Sequence, residues 1–122
     1  MVDTRLFNMP NRVSLEMLIS TDTSNAEAVY NALLEFGAPL SGLTWKDFSE
    51  EGFFFQMGAP PVRLDILMGI SGVHFEECWN RRVEINFDAL KVIFISKQDL
   101  IDSKRAAGRP QDLIDADLLS QD

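Results

Sequence analysis

Pro60-Pro61-Val62-Arg63-Leu64-Asp65-Ile66-Leu67 sets a carboxylate in the middle of a β-branched, apolar run. Side chains alternate along a strand, so Val62, Leu64 and Ile66 share one face while Arg63 and Asp65 share the other. Phe53-Phe54-Phe55-Gln56-Met57 precedes this run, and Gly58-Ala59-Pro60-Pro61 joins the two as a hairpin with a longer loop. Aspartate is depleted in strands and is rarely buried without a partner. Asp65 therefore reads in one of two ways. It is half of an ion pair or a water-facing edge residue, or it is a ligand in a metal or nucleotide site.

Upstream, Arg12 to Ser20 alternates, with Val13, Leu15, Met17 and Ile19 on one face and Glu16 and Leu18 on the other. Ser24 and Glu27 have the spacing of a capping box, and Ala26, Val29, Tyr30, Leu33 and Leu34 continue as a helical stripe up to Gly37. Thr44 caps a single turn whose Trp45 and Phe48 share a side, reading as core packing ahead of a lid over a pocket. Residues 1 to 11 have no clear period and read as an ordered arm or a frayed start. Downstream, Phe75, Cys78 and Trp79 line one face of a short helix, with His74 at its start or on the surface. Arg82 to Phe87 and Lys91 to Ile95 form a second hairpin, whose later strand is expected to be buried on both faces. Ser96 caps a helix that ends at Gly108. Pro110 opens the last one, with Leu113, Ile114 and Leu118 as its apolar side and Asp112, Asp115 and Asp117 as its acidic side. This order predicts one α+β domain: a mixed sheet of about five strands flanked by helices.

Composition narrows the function. The chain has 122 residues, 46% hydrophobic, with net charge -8 from 19 acidic and 11 basic side chains. That balance argues against nucleic acid or an anionic membrane as the main partner. A single cysteine, Cys78, excludes a disulfide framework and a cysteine-based zinc site, and reads as an inert core thiol. A single histidine, His74, removes most His-metal and Ser-His schemes. No apolar run approaches the roughly 18 residues of a membrane helix, and Met1 to Met9 lacks a signal-peptide core, so a cytoplasmic location is expected. The first glycine is Gly37, and nothing before it forms a phosphate loop. What remains is a pair of mid-strand carboxylates, Glu16 and Asp65, of the oxygen-donor type that Mg²⁺ takes.

Three stretches then carry a resemblance: Pro60 to Leu67, Gly72-Val73-His74-Phe75-Glu76-Glu77-Cys78-Trp79, and Lys104-Arg105-Ala106-Ala107-Gly108-Arg109-Pro110-Gln111-Asp112-Leu113. Together they resemble the minimal nucleotidyltransferase-like proteins of the polymerase-beta superfamily, in the bacterial branch related to toxin–antitoxin nucleotidyltransferases. The resemblance runs from about Arg12 to Leu119 and implies the nucleotidyltransferase fold. Active members hold nucleotide phosphates on a Gly-Ser turn and two Mg²⁺ ions on three carboxylates. Asp65 matches the third carboxylate and Glu16 stands at the first. Leu18 stands at the second, where it cannot ligate a metal. The Gly-Ser segment has no counterpart.

The resemblance thus implies an N-terminally truncated, degenerate member: a non-catalytic binding or assembly protein with no resident cofactor. It is expected to self-associate as a homodimer through apolar surface at Leu6, Phe7, Leu18 and Phe53 to Phe55. Arg63, Lys104 and Arg109 are candidates for holding a nucleotide, against a structural reading in which Lys104 favours a helix C-terminus and Lys104 or Arg109 pairs with Asp112. One alternative is a Mg²⁺-dependent transferase completed by a partner chain, with Glu16 and Asp65 holding the metal. Another is an antitoxin-like regulatory protein that binds a basic partner.

Overall fold

The computed structural model describes residues 2–5, 13–59 and 62–121. They contain six strands and four α-helices: β1 Val2–Arg5, β2 Val13–Leu18, α1 Thr23–Phe36, β3 Phe54–Ala59, β4 Val62–Leu67, α2 Phe75–Asn80, β5 Val83–Phe87, β6 Leu90–Phe94, α3 Lys97–Ala107 and α4 Pro110–Ser120. The fold is mixed α+β. The sixth strand beyond the expected five is β1, in the stretch read as an arm, where the sequence has no alternation to announce it. Leu6 and Phe7 lie outside the described residues. The chain divides into two compact units, Thr4–Gly69 and Met1–Asp3 with Ile70–Asp122.

In the unit Thr4–Gly69 the strand order is β3-β4-β2. β4 is antiparallel to β3 and parallel to β2, in the registers Gln56↔Asp65 and Glu16↔Asp65. The hairpin is tighter than expected: β3 runs on through Gly58 and Ala59 and leaves two residues, 60 and 61, between the strands. Gly58 makes this possible. Its φ is +87°, and a Cβ there would sit 2.7 Å from the Val62 carbonyl oxygen.

α1 begins two residues earlier than its pattern suggests. Asp22, not Ser24, is the N-cap, and its carboxylate accepts the Asn25 amide at 2.8 Å. Gly37, in the left-handed region, ends the helix. The core gathers Ile19, Ala26, Leu33, Leu40, Phe48, Phe55, Ile66 and Met68. Phe48, on the 3-10 turn Trp45–Ser49, is fully buried, with its ring tilted against Tyr30 at 6.1 Å and Phe55 at 5.8 Å between centroids.

In the other unit β6 pairs parallel with β1, Val2 opposite Phe94, and antiparallel with β5. β6 was expected to be buried on both faces, but Val92, Ile93 and Phe94 are only half-buried, Leu90 is exposed, and β5 is exposed along its whole length. α4 is inverted relative to its pattern. Asp112 and Ala116 are buried, whereas Leu113, Ile114 and Leu118 are 45%, 53% and 56% exposed. The cause is electrostatic. Lys104 on α3 is buried, and its ammonium meets Asp115 Oδ2 at 3.0 Å. An ammonium removed from water needs a carboxylate opposite it, so α4 turns Asp112 and Asp115 inward while Asp117 stays exposed.

Candidate functional site

The β2–β4 register places Glu16 and Asp65 directly opposite each other, with Gln56 of β3 on the far side of Asp65. Alternation puts all three at positions of one sheet face. Glu16 is half-buried and Asp65 only 4% exposed. Because β4 lies between two strands, Asp65 is no edge residue facing water. Arg63, two positions earlier on the same face, answers its charge. The guanidinium donates from Nη2 to Asp65 Oδ2 at 3.2 Å, and Nε lies 3.2 Å from Oδ1. The Oδ1 contact is charge proximity alone, since that oxygen is buried and completes no hydrogen bond.

Leu18, beyond Glu16 on the same face, is 6% exposed, so it does not contribute the open apolar surface expected of it. Phe53 and Phe54 are exposed at 58% and 61%, whereas Phe55 is in the core.

These donors fit an internal ion pair better than a resident Mg²⁺. Two carboxylates in register are a start for a hard cation that takes six oxygens, but Arg63 already lies against one of them. Among the described residues no group of three or more Asp, Glu, His or Cys side chains is arranged to hold a metal ion.

Lys104 and Arg109 belong to the other unit, where Lys104 pairs across α3 and α4 and Arg109 pairs within the start of α4. Lys104 is 3% exposed and bound to Asp115, leaving no ammonium at the surface for a phosphate. Arg109 meets the buried Asp112 carboxylate with Nε at 2.6 Å while most of its side chain stays in water. Of the two cations, Arg109 is thus the one paired with Asp112.

A further buried carboxylate, Asp99, lies three residues after the Ser96 cap of α3. Asp99 is 2% exposed and takes a forked contact from Arg81, with Nη2–Oδ1 2.8 Å and Nε–Oδ2 3.0 Å, and a hydrogen bond from the Ser96 hydroxyl at 2.9 Å. The Arg81 hydrogen bonds hold the Asp99 carboxyl below its ordinary value of 3.8, against the opposing pull of burial and with help from Ser96. The sign follows. The unfolded chain takes up this proton at a higher pH than the folded one, so the stabilisation is complete above the unfolded value and drains as pH falls through the folded one. Urea midpoints measured from about pH 5 down to about pH 2 are expected to fall more steeply for the wild type than for Asp99→Asn.

Cys78 is fully buried, and burial followed by the nearby Asp99 charge pushes its thiol up to about 11. It is protonated at neutral pH and is no nucleophile. His74 stands at the N-cap of α2, exposed, and makes no side-chain cap. A cavity lined by Lys97, Gln98, Ile101, Arg105 and Ser120 contains none of the residues singled out from sequence. No helix among the described residues is long and apolar enough to cross a membrane.

Compared with known proteins, the chain matches no family model, and no curated protein or solved structure is significantly similar to it.

Proposed function

We propose that this chain is a non-catalytic nucleotidyltransferase-like protein that works by binding and assembly, associating with a second copy of itself. The observation that carries the reading is the guanidinium of Arg63 lying on the buried Asp65 carboxylate. Two-metal phosphoryl transfer needs that oxygen pair open to a cation and a further carboxylate beside it. Here a cation built into the chain answers the charge, and Leu18 occupies the neighbouring position on the face. The exposed phenylalanines 53 and 54, and the open apolar residues of β5, β6 and α4, support assembly.

The test is thermal unfolding with and without millimolar Mg²⁺-ATP. A ligand present at a hundred times its Kd stabilises by about 2.7 kcal/mol, which moves Tm by several degrees. No shift is expected, together with a scattering mass of two chains. A rise in Tm that disappears in both Glu16→Ala and Asp65→Ala would overturn the reading in favour of a Mg²⁺-dependent transferase completed by a partner chain.

A further inference from the structure

β5 reads Val83-Glu84-Ile85-Asn86-Phe87 and, among the described residues, pairs with β6 alone. Among the described residues its other edge is open. Natural edge strands are guarded against pairing by lysine, proline or a bulge. β5 has no proline, lysine or glycine, and its apolar positions Val83, Ile85 and Phe87 are all exposed.

The hairpin fixes which backbone groups face outward. Asp88 and Ala89 form the connection, so Phe87 and Leu90 flank a two-residue turn and are a hydrogen-bonded pair. Hydrogen-bonded pairs alternate with non-bonded ones, so the amides and carbonyls of Val83, Ile85 and Phe87 point toward β6. Those of Glu84 and Asn86 point to the open edge. An antiparallel copy of β5 can hydrogen-bond only through these two residues, which leaves three two-fold registers.

Charge separates the three. A register centred on Glu84 sets two Glu84 carboxylates face to face. One centred on Asn86 sets Glu84 against Asp88 of the partner subunit, again like against like. A register centred on Ile85 sets Glu84 against the partner's Asn86, Arg82 against the partner's Asp88, and Val83 against the partner's Phe87. Ile85 then meets its own copy on the two-fold axis. Every cross-strand pair in that register is compatible, and the Arg82–Asp88 pairing occurs twice.

From this complementarity we infer that β5 is a homodimerisation edge, on which a second copy of the chain adds antiparallel to β5 with Ile85 on the two-fold axis. This inference rests on the self-association reading and gives it an address. The neighbours of the edge leave room for it. Arg82 stacks over Trp79 of α2 at 4.2 Å and donates to Glu84 at 3.0 Å, and Lys91 of β6 lies 3.4 Å from the same carboxylate, so Glu84 is held on its own hairpin and Arg82 turns from Glu84 to reach the partner's Asp88.

The experiment is disulfide trapping of the full chain. Opposite residues in a non-hydrogen-bonded antiparallel pair have Cβ atoms about 4.5–5.5 Å apart, close to the reach of a disulfide. Ile85→Cys is therefore expected to cross-link most of the protein under mild oxidation. Glu84→Cys, whose copies would lie two positions out of register, is expected to cross-link at least ten-fold more slowly. The wild type, with only the buried Cys78, serves as the control for a thiol without access. Both substitutions fall on exposed positions, and circular dichroism checks that the fold is kept. Asn86→Pro, which deletes an outward amide and leaves the pairing with β6 intact, is expected to yield single chains by light scattering. A wild-type dimer in which Glu84→Cys cross-links as fast as Ile85→Cys, or in which neither does, overturns the β5 interface and leaves self-association standing. A wild-type mass of one chain overturns both.

Discussion

Asp115→Leu is expected to lower the stability of the unit Ile70–Asp122 by about 3–5 kcal/mol, the cost of leaving one member of a buried ion pair without the other. The Lys104 ammonium is 3% exposed and meets the Asp115 carboxylate at 3.0 Å. Gln111 donates to the second oxygen of Asp115 at 2.9 Å, which fixes the acceptor in place. Without the carboxylate the ammonium keeps its desolvation penalty and loses the attraction that offset it. The double variant Lys104→Met, Asp115→Leu removes both charges and substitutes apolar volume, so it is expected to recover most of the loss. Urea unfolding of the two single variants and the double closes the cycle. Equal stability of Asp115→Leu and wild type would mean that water reaches Lys104.

Phe48→Ala is expected to cost about 3–5 kcal/mol in the other unit. Phe48 is 0% exposed, and its ring is wedged between Tyr30 and Phe55. Truncation forfeits the transfer of a phenyl ring from water and leaves a cavity walled by α1 and β3, elements whose backbones are fixed by their own hydrogen bonds. The void cannot close, so the cavity penalty adds to the transfer term. Phe48→Leu fills most of the space and is expected to cost less than half as much. The check is denaturant unfolding followed by the fluorescence of Trp45, which belongs to the same turn. A loss below about 1 kcal/mol would mean that the core is far looser than its packing implies.

The strands were legible wherever one face is apolar throughout. Val13 to Ile19 and Val62 to Leu67 announce themselves because each keeps the period of two, and their faces place Glu16 and Asp65 on the less apolar side. Their direct opposition was not legible. It depends on β2 and β4 being parallel neighbours in one particular register, and residues far apart in the chain decide that. Arg63 as the partner of Asp65 was within reach, since residues two apart on a strand share a face.

α4 misled for a specific reason. Leu113, Ile114 and Leu118 are a ready apolar stripe, and burial normally follows such a stripe. Here one cation, Lys104, outweighs it, because leaving a buried ammonium unpaired costs more than half-exposing three aliphatic side chains. The signal available was the spacing of Asp112, Asp115 and Ala116, which share a helical face with no bulky residue among them. α1 misled more gently: Ser24 and Glu27 match a capping box, but Asp22 reaches the Asn25 amide first and moves the helix start back a turn's fraction.

The Lys104–Asp115 contact has a further consequence for how α3 and α4 find each other. An apolar seam tolerates sliding, because one aliphatic contact replaces another at little cost. A lone ammonium in a dry seam tolerates none. Displace α4 by one turn along α3 and the carboxylate leaves the ammonium behind, while the short Gly108–Arg109 connection offers no slack to compensate. The contact therefore acts as a detent: it adds little to the depth of the correct arrangement but raises every neighbouring one, so the helix hairpin clicks into a single position.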